Sequence, residues 1–233
     1  MAMKFIEREN EILTIIRSFW DAGLEFVVVG GYAVSGLGKH RFSVDLDVVI
    51  KKEYVDTFTQ ILEERGFEKH IEYTGFDDVY GGEFVSYVKR IDGLLVTVDL
   101  LVGSLVCRAT AASWNYGYIK RNSMETDVTG IELSIRCRVP RRELLIAFKI
   151  HSGRRADVRD VVVLMEQADI EKIGTHLKRG SLEQLQAQID RMKEMLRDTR
   201  LVDSLKGVFS ISHDVTKQIE RAYRVLEELK NRI

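Results

Sequence analysis

Two aspartates one residue apart, Asp45 and Asp47, stand in an otherwise apolar run, Val44-Asp45-Leu46-Asp47-Val48-Val49-Ile50. In an extended chain successive side chains alternate between faces, so the two carboxylates share one face while Val44, Leu46 and Val48 pack on the other. At a rise of about 3.3 Å per residue they stand ~6.6 Å apart, which is about 2.5 kcal/mol of repulsion at an effective dielectric near ~20. Something positive belongs there. Mg²⁺ (or Mn²⁺) suits the pair, because it takes hard oxygen ligands and binds through one or two carboxylates plus substrate phosphates. Upstream, Phe26 to Val29 predicts a buried strand that stops at Gly30-Gly31 and passes into Tyr32-Ala33-Val34, suited to the first turn of a helix. Glycine lets a phosphate approach the backbone, and the N–H groups at a helix start favour an anion. Metal and phosphate chemistry thus fall within one short unit.

Gly30-Gly31, a spacer, and then Arg41-x-Ser43-x-Asp45-x-Asp47 in an apolar strand resembles the signature of the DNA polymerase β-like nucleotidyltransferase superfamily, closest to its minimal and abortive-infection-toxin-like branches. The resemblance implies an NTP donor held at Gly30, Gly31, Arg41 and Ser43, metals on Asp45 and Asp47, and a third acid on the next core strand. Asp99 stands inside the apolar run Leu94 to Leu101, on the face of Leu95 and Thr97. Taken alone it reads as an aspartate paired with an arginine or placed at a strand end. Beside the upstream pair, the resemblance makes it the third metal ligand and the acceptor of the attacking hydroxyl's proton.

The elements that must position these groups can be read in order. Ile12, Ile15, Ile16 and Phe19 share a helical face, with Asn10 as a cap and Gly23 as the stop. After the Asp-x-Asp strand, Tyr54, Phe58, Ile61 and Leu62 predict a second amphipathic helix ended by Gly66. Phe67 to Tyr73 predicts a strand, and Phe84 to Ile91 with Leu94 to Leu101 a hairpin turned at Asp92-Gly93. The fold class expected is α+β: a nucleotidyltransferase-like mixed sheet with packed helices over residues 1–139, followed by a C-terminal helical domain over 140–233 that opens at Pro140.

Between them, Trp114, Tyr116, Tyr118, Lys120 and Arg121 interleave aromatic and basic groups that could stack on a nucleotide or RNA. The same alternation is ordinary strand patterning for an edge hairpin. Gly130 to Val139 alternates as a half-exposed strand, with Arg136 and Arg138 on one face. In the helical part Lys149 either snorkels to solvent or has a function; the resemblance makes it a contact for the donor triphosphate. Asp157 and Asp160, near Arg154 and Arg155, read as a salt-bridge network rather than metal ligands. His40 and His151 lack zinc spacing and read as structural or surface groups, although Lys39, His40 and Arg41, just before the acidic strand, could also help neutralise the phosphates, Arg41 alone having the family-like spacing. Leu182, Leu185, Ile189, Met192 and Leu196, and then Val215, Ile219, Ala222, Leu226 and Leu229, predict an antiparallel helix pair joined across 199–212.

Composition narrows the classes. The 233 residues are 45% hydrophobic and 30% charged with a formal net charge of -1, which argues against bulk electrostatic retention of long nucleic acid. Cys107 and Cys137 form neither a CxxC nor a disulfide framework, the N-terminus lacks a signal-peptide pattern, and no run is long enough to span a membrane, so a cytoplasmic protein is expected. The expected activity is transfer of a nucleoside monophosphate from an NTP to an acceptor hydroxyl on tRNA, a protein or a small molecule. The toxin-like resemblance adds an antitoxin as a partner, and the C-terminal helix pair adds a second copy of the chain. The rival is a catalytically silent nucleotide-binding or interaction protein on the same fold.

Overall fold

The computed structural model describes residues 2–75 and 77–233, which divide into two compact units. The first takes in the chain up to Leu105 and Trp114–Pro140; the second takes in Val106–Ser113 and Arg141–Ile233. In the first unit the order is α1 (Ala2–Asp21), β1 (Phe26–Val29), α2 (Gly30–Gly36), β2 (Asp45–Ile50), α3 (Val55–Glu64), β3 (Glu68–Tyr73), β4 (Glu83–Ile91) and β5 (Leu94–Val102). Strands β6 (Ser104–Cys107) and β7 (Ala112–Asn115) form a two-stranded ribbon within which the chain leaves this unit and returns. Helix α4 (Tyr116–Arg121) and the hairpin of β8 (Ser123–Thr129) and β9 (Ser134–Pro140) follow.

The main sheet is mixed, in the order β1-β2-β5-β4-β3, with β2 and β5 parallel and the other neighbours antiparallel. The β4–β5 turn needs positive φ at both central residues, and Asp92 (51°) and Gly93 (79°) supply it. One sheet face is the core: Leu46, Val48, Tyr87, Val96, Val98 and Leu100 are fully buried. Phe19 of α1, Phe26 of β1 and Phe58 of α3 meet edge to face at 4.6–6.1 Å, and Thr59 Oγ1 and Tyr87 Oη share a hydrogen bond of 2.6 Å. Each such ring buried contributes about 1.5–3 kcal/mol, which fixes the side of the sheet on which α1 and α3 lie. By alternation the opposite face carries Asp45, Asp47, Asp99 and Ser86.

The β8–β9 hairpin packs on α2 at Gly36, where a Cβ would meet Thr126, Val128 and Val139 at 3.1–3.2 Å. Three local expectations need correcting here. Tyr116 to Arg121 is a helix, not strand, because Asn115 Oδ1 caps it by accepting the Tyr118 N–H at 2.8 Å. Trp114 is fully buried, Tyr116 nearly so, and Lys120 pairs with Glu25, so most of this tract is spent on the fold rather than on a stacking surface. The strand placed over 130–139 starts at Ser134, since Gly130–Leu133 is the hairpin turn, and Arg136 and Arg138 face Glu125 and Asp127 of β8.

The second unit holds α5 (Arg142–Ser152), α6 (Arg155–Leu164), α7 (Ile170–Leu177), α8 (Leu182–Leu196), α9 (Arg200–Phe209) and α10 (Thr216–Arg232). Pro140 closes β9, and α5 begins two residues later. Helices α8 and α10 run antiparallel, with Asp190 facing Lys230 and Lys193 facing Glu227. Their connection holds a helix of its own, α9, with Leu201 and Leu205 buried. Residues 106–113 join this unit through the buried His151 of α5: its Nδ1 meets Thr110 Oγ1 at 2.7 Å and its Nε2 meets Leu177 O at 3.0 Å. Among the described residues no helix is long and apolar enough to cross a membrane.

Candidate active site

Strands β2 and β5 bring the acids together. In their parallel register Asp47 is the neighbour of Asp99 and Asp45 the neighbour of Thr97, so the three carboxylates share the sheet face away from the α1–α3 core. Asp99 is half-buried, and Ser86, its antiparallel partner on β4, donates its hydroxyl to Asp99 Oδ1 at 2.6 Å. Burial raises the Asp99 carboxyl, the Ser86 hydrogen bond opposes, and the charges of Asp47 and then Asp45 add to the rise; the outcome is about 6. The three acids therefore feel one another.

Asp47 also touches the glycine turn. Gly30 has φ of 65°, in the left-handed region, and a Cβ there would overlap Asp47 Oδ2. At Gly31 a Cβ would overlap Arg41 Nη1 and sit 3.0 Å from Ser43 Cβ and Oγ. Asp47, Arg41 and Ser43 thus lie directly against the backbone of the first turn of α2. The loop that carries Arg41 and Ser43 is clipped to α2 at two points. Ser35 Oγ accepts the Arg41 N–H at 3.1 Å and donates to Arg41 O at 3.3 Å, and Tyr32 Oη donates to Ser43 O at 2.9 Å. Burial holds the Tyr32 hydroxyl far above its ordinary range, with Glu9 and Asp45 adding to the effect, so it remains a donor.

Lys149 belongs to the second unit. It is 4% exposed, with Nζ 3.0 Å from Asp157 Oδ1 and 2.8 Å from Asp160 Oδ2. Burial raises Asp157, but Lys149 and Arg154 more than offset it and hold the carboxyl below its ordinary value. The network expected at Asp157 and Asp160 is present with Lys149 at its centre, while Arg155 pairs with Asp198 instead. The structure brings Asp45, Asp47, Asp99, Gly30, Gly31, Arg41 and Ser43 together in the first unit; Lys149 it gives to a buried ionic cluster of the second. Ser86 escaped the sequence reading, and its one available signal was its register opposite Asp99.

The donor set is suited to a hard divalent cation. All three candidate ligands are carboxylates, and the rise at Asp99, owed first to burial and only then to the charges of Asp47 and Asp45, is in the direction a cation would oppose. Among the described residues no three His, Cys, Asp or Glu side chains are already gathered into a metal cage. What the chain presents is a row of three carboxylates on one strand face, Asp45 exposed and Asp47 and Asp99 half-buried.

No family model matches the sequence, and no curated protein matches it. Among solved structures the chain is similar to an H. pylori protein provisionally assigned as a nucleotidyltransferase, with a TM-score of 0.48 and 16% identity over 97% of this chain and 94% of that one. It is also similar to JHP933 from Helicobacter pylori, with a TM-score of 0.49 and 15% identity over 97% of this chain and 92% of that one.

Proposed function

We propose that this chain is a metal-dependent nucleotidyltransferase of the polymerase β-like kind, in its minimal or abortive-infection-toxin-like branch. It takes an NTP and transfers the nucleoside monophosphate to an acceptor hydroxyl, releasing pyrophosphate. One observation carries the reading: Asp47 and Asp99 lie in register on adjacent parallel strands, with Asp45 on the same face and Gly30-Gly31 against Asp47. Asp45, Asp47 and Asp99 would hold Mg²⁺ or Mn²⁺, which when bound supplies positive charge to the attacking and leaving oxygens.

The remaining roles fall to the chain itself. The backbone at Gly30 and Gly31, with Arg41 and Ser43 beside it, receives the donor phosphates; a Cβ at either position would displace Asp47, Arg41 or Ser43. The acceptor oxygen forms a bond to the α-phosphorus as the bond to pyrophosphate breaks, and the hydroxyl proton passes to Asp99. Ser86 donates to Asp99 Oδ1 and so fixes the orientation of that carboxylate. Lys149 as a contact for the triphosphate rests on the sequence resemblance alone. The acceptors in question are tRNA, a protein or a small molecule.

The test is incubation with each α-labelled NTP, Mg²⁺ or Mn²⁺, and total RNA or cell lysate, beside Asp45→Ala and Asp47→Ala. Label on RNA, protein or a small molecule that both variants abolish supports the reading and names the acceptor class. Metal-dependent NTP binding without transfer to any fraction would favour the silent binding protein.

A further inference from the structure

The loop between α2 and β2 is gripped from a third side, by α1, and through a carboxylate with no part in the chemistry above. Glu9 is fully buried. Its Oε2 accepts the Ile131 N–H of the β8–β9 turn at 2.7 Å, and its Oε1 stands 3.0 Å from His40 Nε2. The turn has shaped itself to this group: a Cβ on Gly130 would come within 2.6 Å of Glu9 Oε2 and 2.8 Å of Leu13 Cδ1. A buried carboxylate is costly unless its oxygens are bonded, so Glu9 holds whatever donors reach it firmly. One turn earlier in α1, Phe5 meets Phe42 edge to face at 5.1 Å. His40 and Phe42 flank Arg41, whose backbone is clipped to Ser35 and whose guanidinium lies over Gly31.

From this geometry we infer that Glu9 and His40 are positioning residues for the donor: α1 holds His40 so that Arg41 stays over the glycine turn. The inference rests on the proposed NTP site. Neither residue touches the reacting atoms. The order of connection is Glu9 to His40, His40 to Arg41 through the chain, and Arg41 to the backbone at Gly31, where the phosphates are received. Loss of the anchor loosens donor binding and leaves the carboxylates of β2 and β5 in place, because neither strand is held by it.

Because the His40 side chain is 43% exposed, its replacement spares the core. His40→Ala is expected to raise the Kd and KM for Mg·NTP by about three- to tenfold, the effect of one lost hydrogen bond to a charged group, with kcat within about twofold. His40→Gln, which keeps an N–H donor of similar reach, is expected to recover most of the donor affinity, and His40→Leu none. Should His40→Ala fail to fold, the Gln and Leu variants read the same contrast. Equal donor affinity in wild type, Ala and Leu overturns the inference, and so does a fall in kcat with KM unchanged. If wild type itself shows no metal-dependent NTP binding, the proposed function has failed instead. Thermal melting of Gln and Leu side by side then still reads whether the Glu9–His40 bond holds the loop, with Gln expected to melt higher.

Discussion

Replacing Asp99 by asparagine should make the metal-free protein more stable. The folded carboxyl sits at about 6 against an ordinary 3.8, so at neutral pH its charge is carried at a cost. Counted whole, that shift is worth about 3 kcal/mol; solvent access to a half-buried group screens part of it and leaves about 1–2 kcal/mol. Asparagine is isosteric and keeps an oxygen to accept the Ser86 hydroxyl, so the hydrogen bond at 2.6 Å need not be lost. The pH dependence has a definite sign. A folded pKa above the unfolded one means the folded state holds more protons between about pH 4 and 6, so the wild type loses stability as pH rises through that window. The gain from Asp99→Asn should therefore be complete above about pH 7 and vanish near pH 3.8. Both tryptophans, Trp20 and Trp114, lie in the first unit, so urea denaturation in EDTA followed by tryptophan fluorescence reports the unit that matters. A variant less stable than wild type at pH 8 in EDTA, or a difference that does not shrink on acidification, would refute the reasoning. The same substitution should abolish transfer.

Other perturbations separate the parts of the site from the parts of the scaffold. Gly30→Ala combines a left-handed φ with overlap of Asp47 Oδ2 and should cost about 2–4 kcal/mol in the same denaturation assay. Gly31→Ala, without a left-handed φ, pushes aside the flexible end of Arg41 and crowds Ser43 at 3.0 Å, so it should cost less stability than Gly30→Ala yet bind Mg·NTP at least about tenfold more weakly in a direct titration. Lys149→Met removes the cation that bridges buried Asp157 and Asp160, with Arg154 still on Asp157, and should cost about 3 kcal/mol, read as early loss of helical circular dichroism. Burial lowers His151 to about 4 from 6.5, so the unfolded state gains a proton first as pH falls. The second unit should lose about 2 kcal/mol between pH 7 and pH 5, a loss that His151→Gln removes.

The strands that carry the acids were readable because they are nearly continuous runs of buried β-branched and aliphatic residues; alternation put Asp45 and Asp47 on one face, while Asp99 was joined to them by the family resemblance and shares their face through the β2–β5 register. Elements set by a single side chain were not. The aromatic alternation at 114, 116 and 118 imitates a strand, and only the Asn115 cap makes it a helix. Strand β8, with Glu125, Thr126 and Asp127 at its centre, shows little apolar pattern and exists through its pairing with β9. Contacts between residues far apart in the chain were equally hidden. The placement of 106–113 depends on Thr110 and His151, the tie between α1 and the α2–β2 loop on Glu9 and His40, and the hydrogen bond at Asp99 on Ser86. Lys149 looked like an isolated cation on an apolar helix because its partners come from the next helix, one turn apart.

The central claim is that the carboxylate row of β2 and β5 and the glycine turn form one metal–nucleotide site. Calorimetric titration of NTP into the protein, with Mg²⁺ and with EDTA, compared across wild type, Asp45→Asn and Asp47→Asn, tests it most directly. The account predicts binding in wild type that requires the metal and is lost or weakened at least about tenfold in both variants while they remain folded. Binding that is indifferent to Mg²⁺, or unchanged in the folded Asp45→Asn and Asp47→Asn proteins, would contradict it.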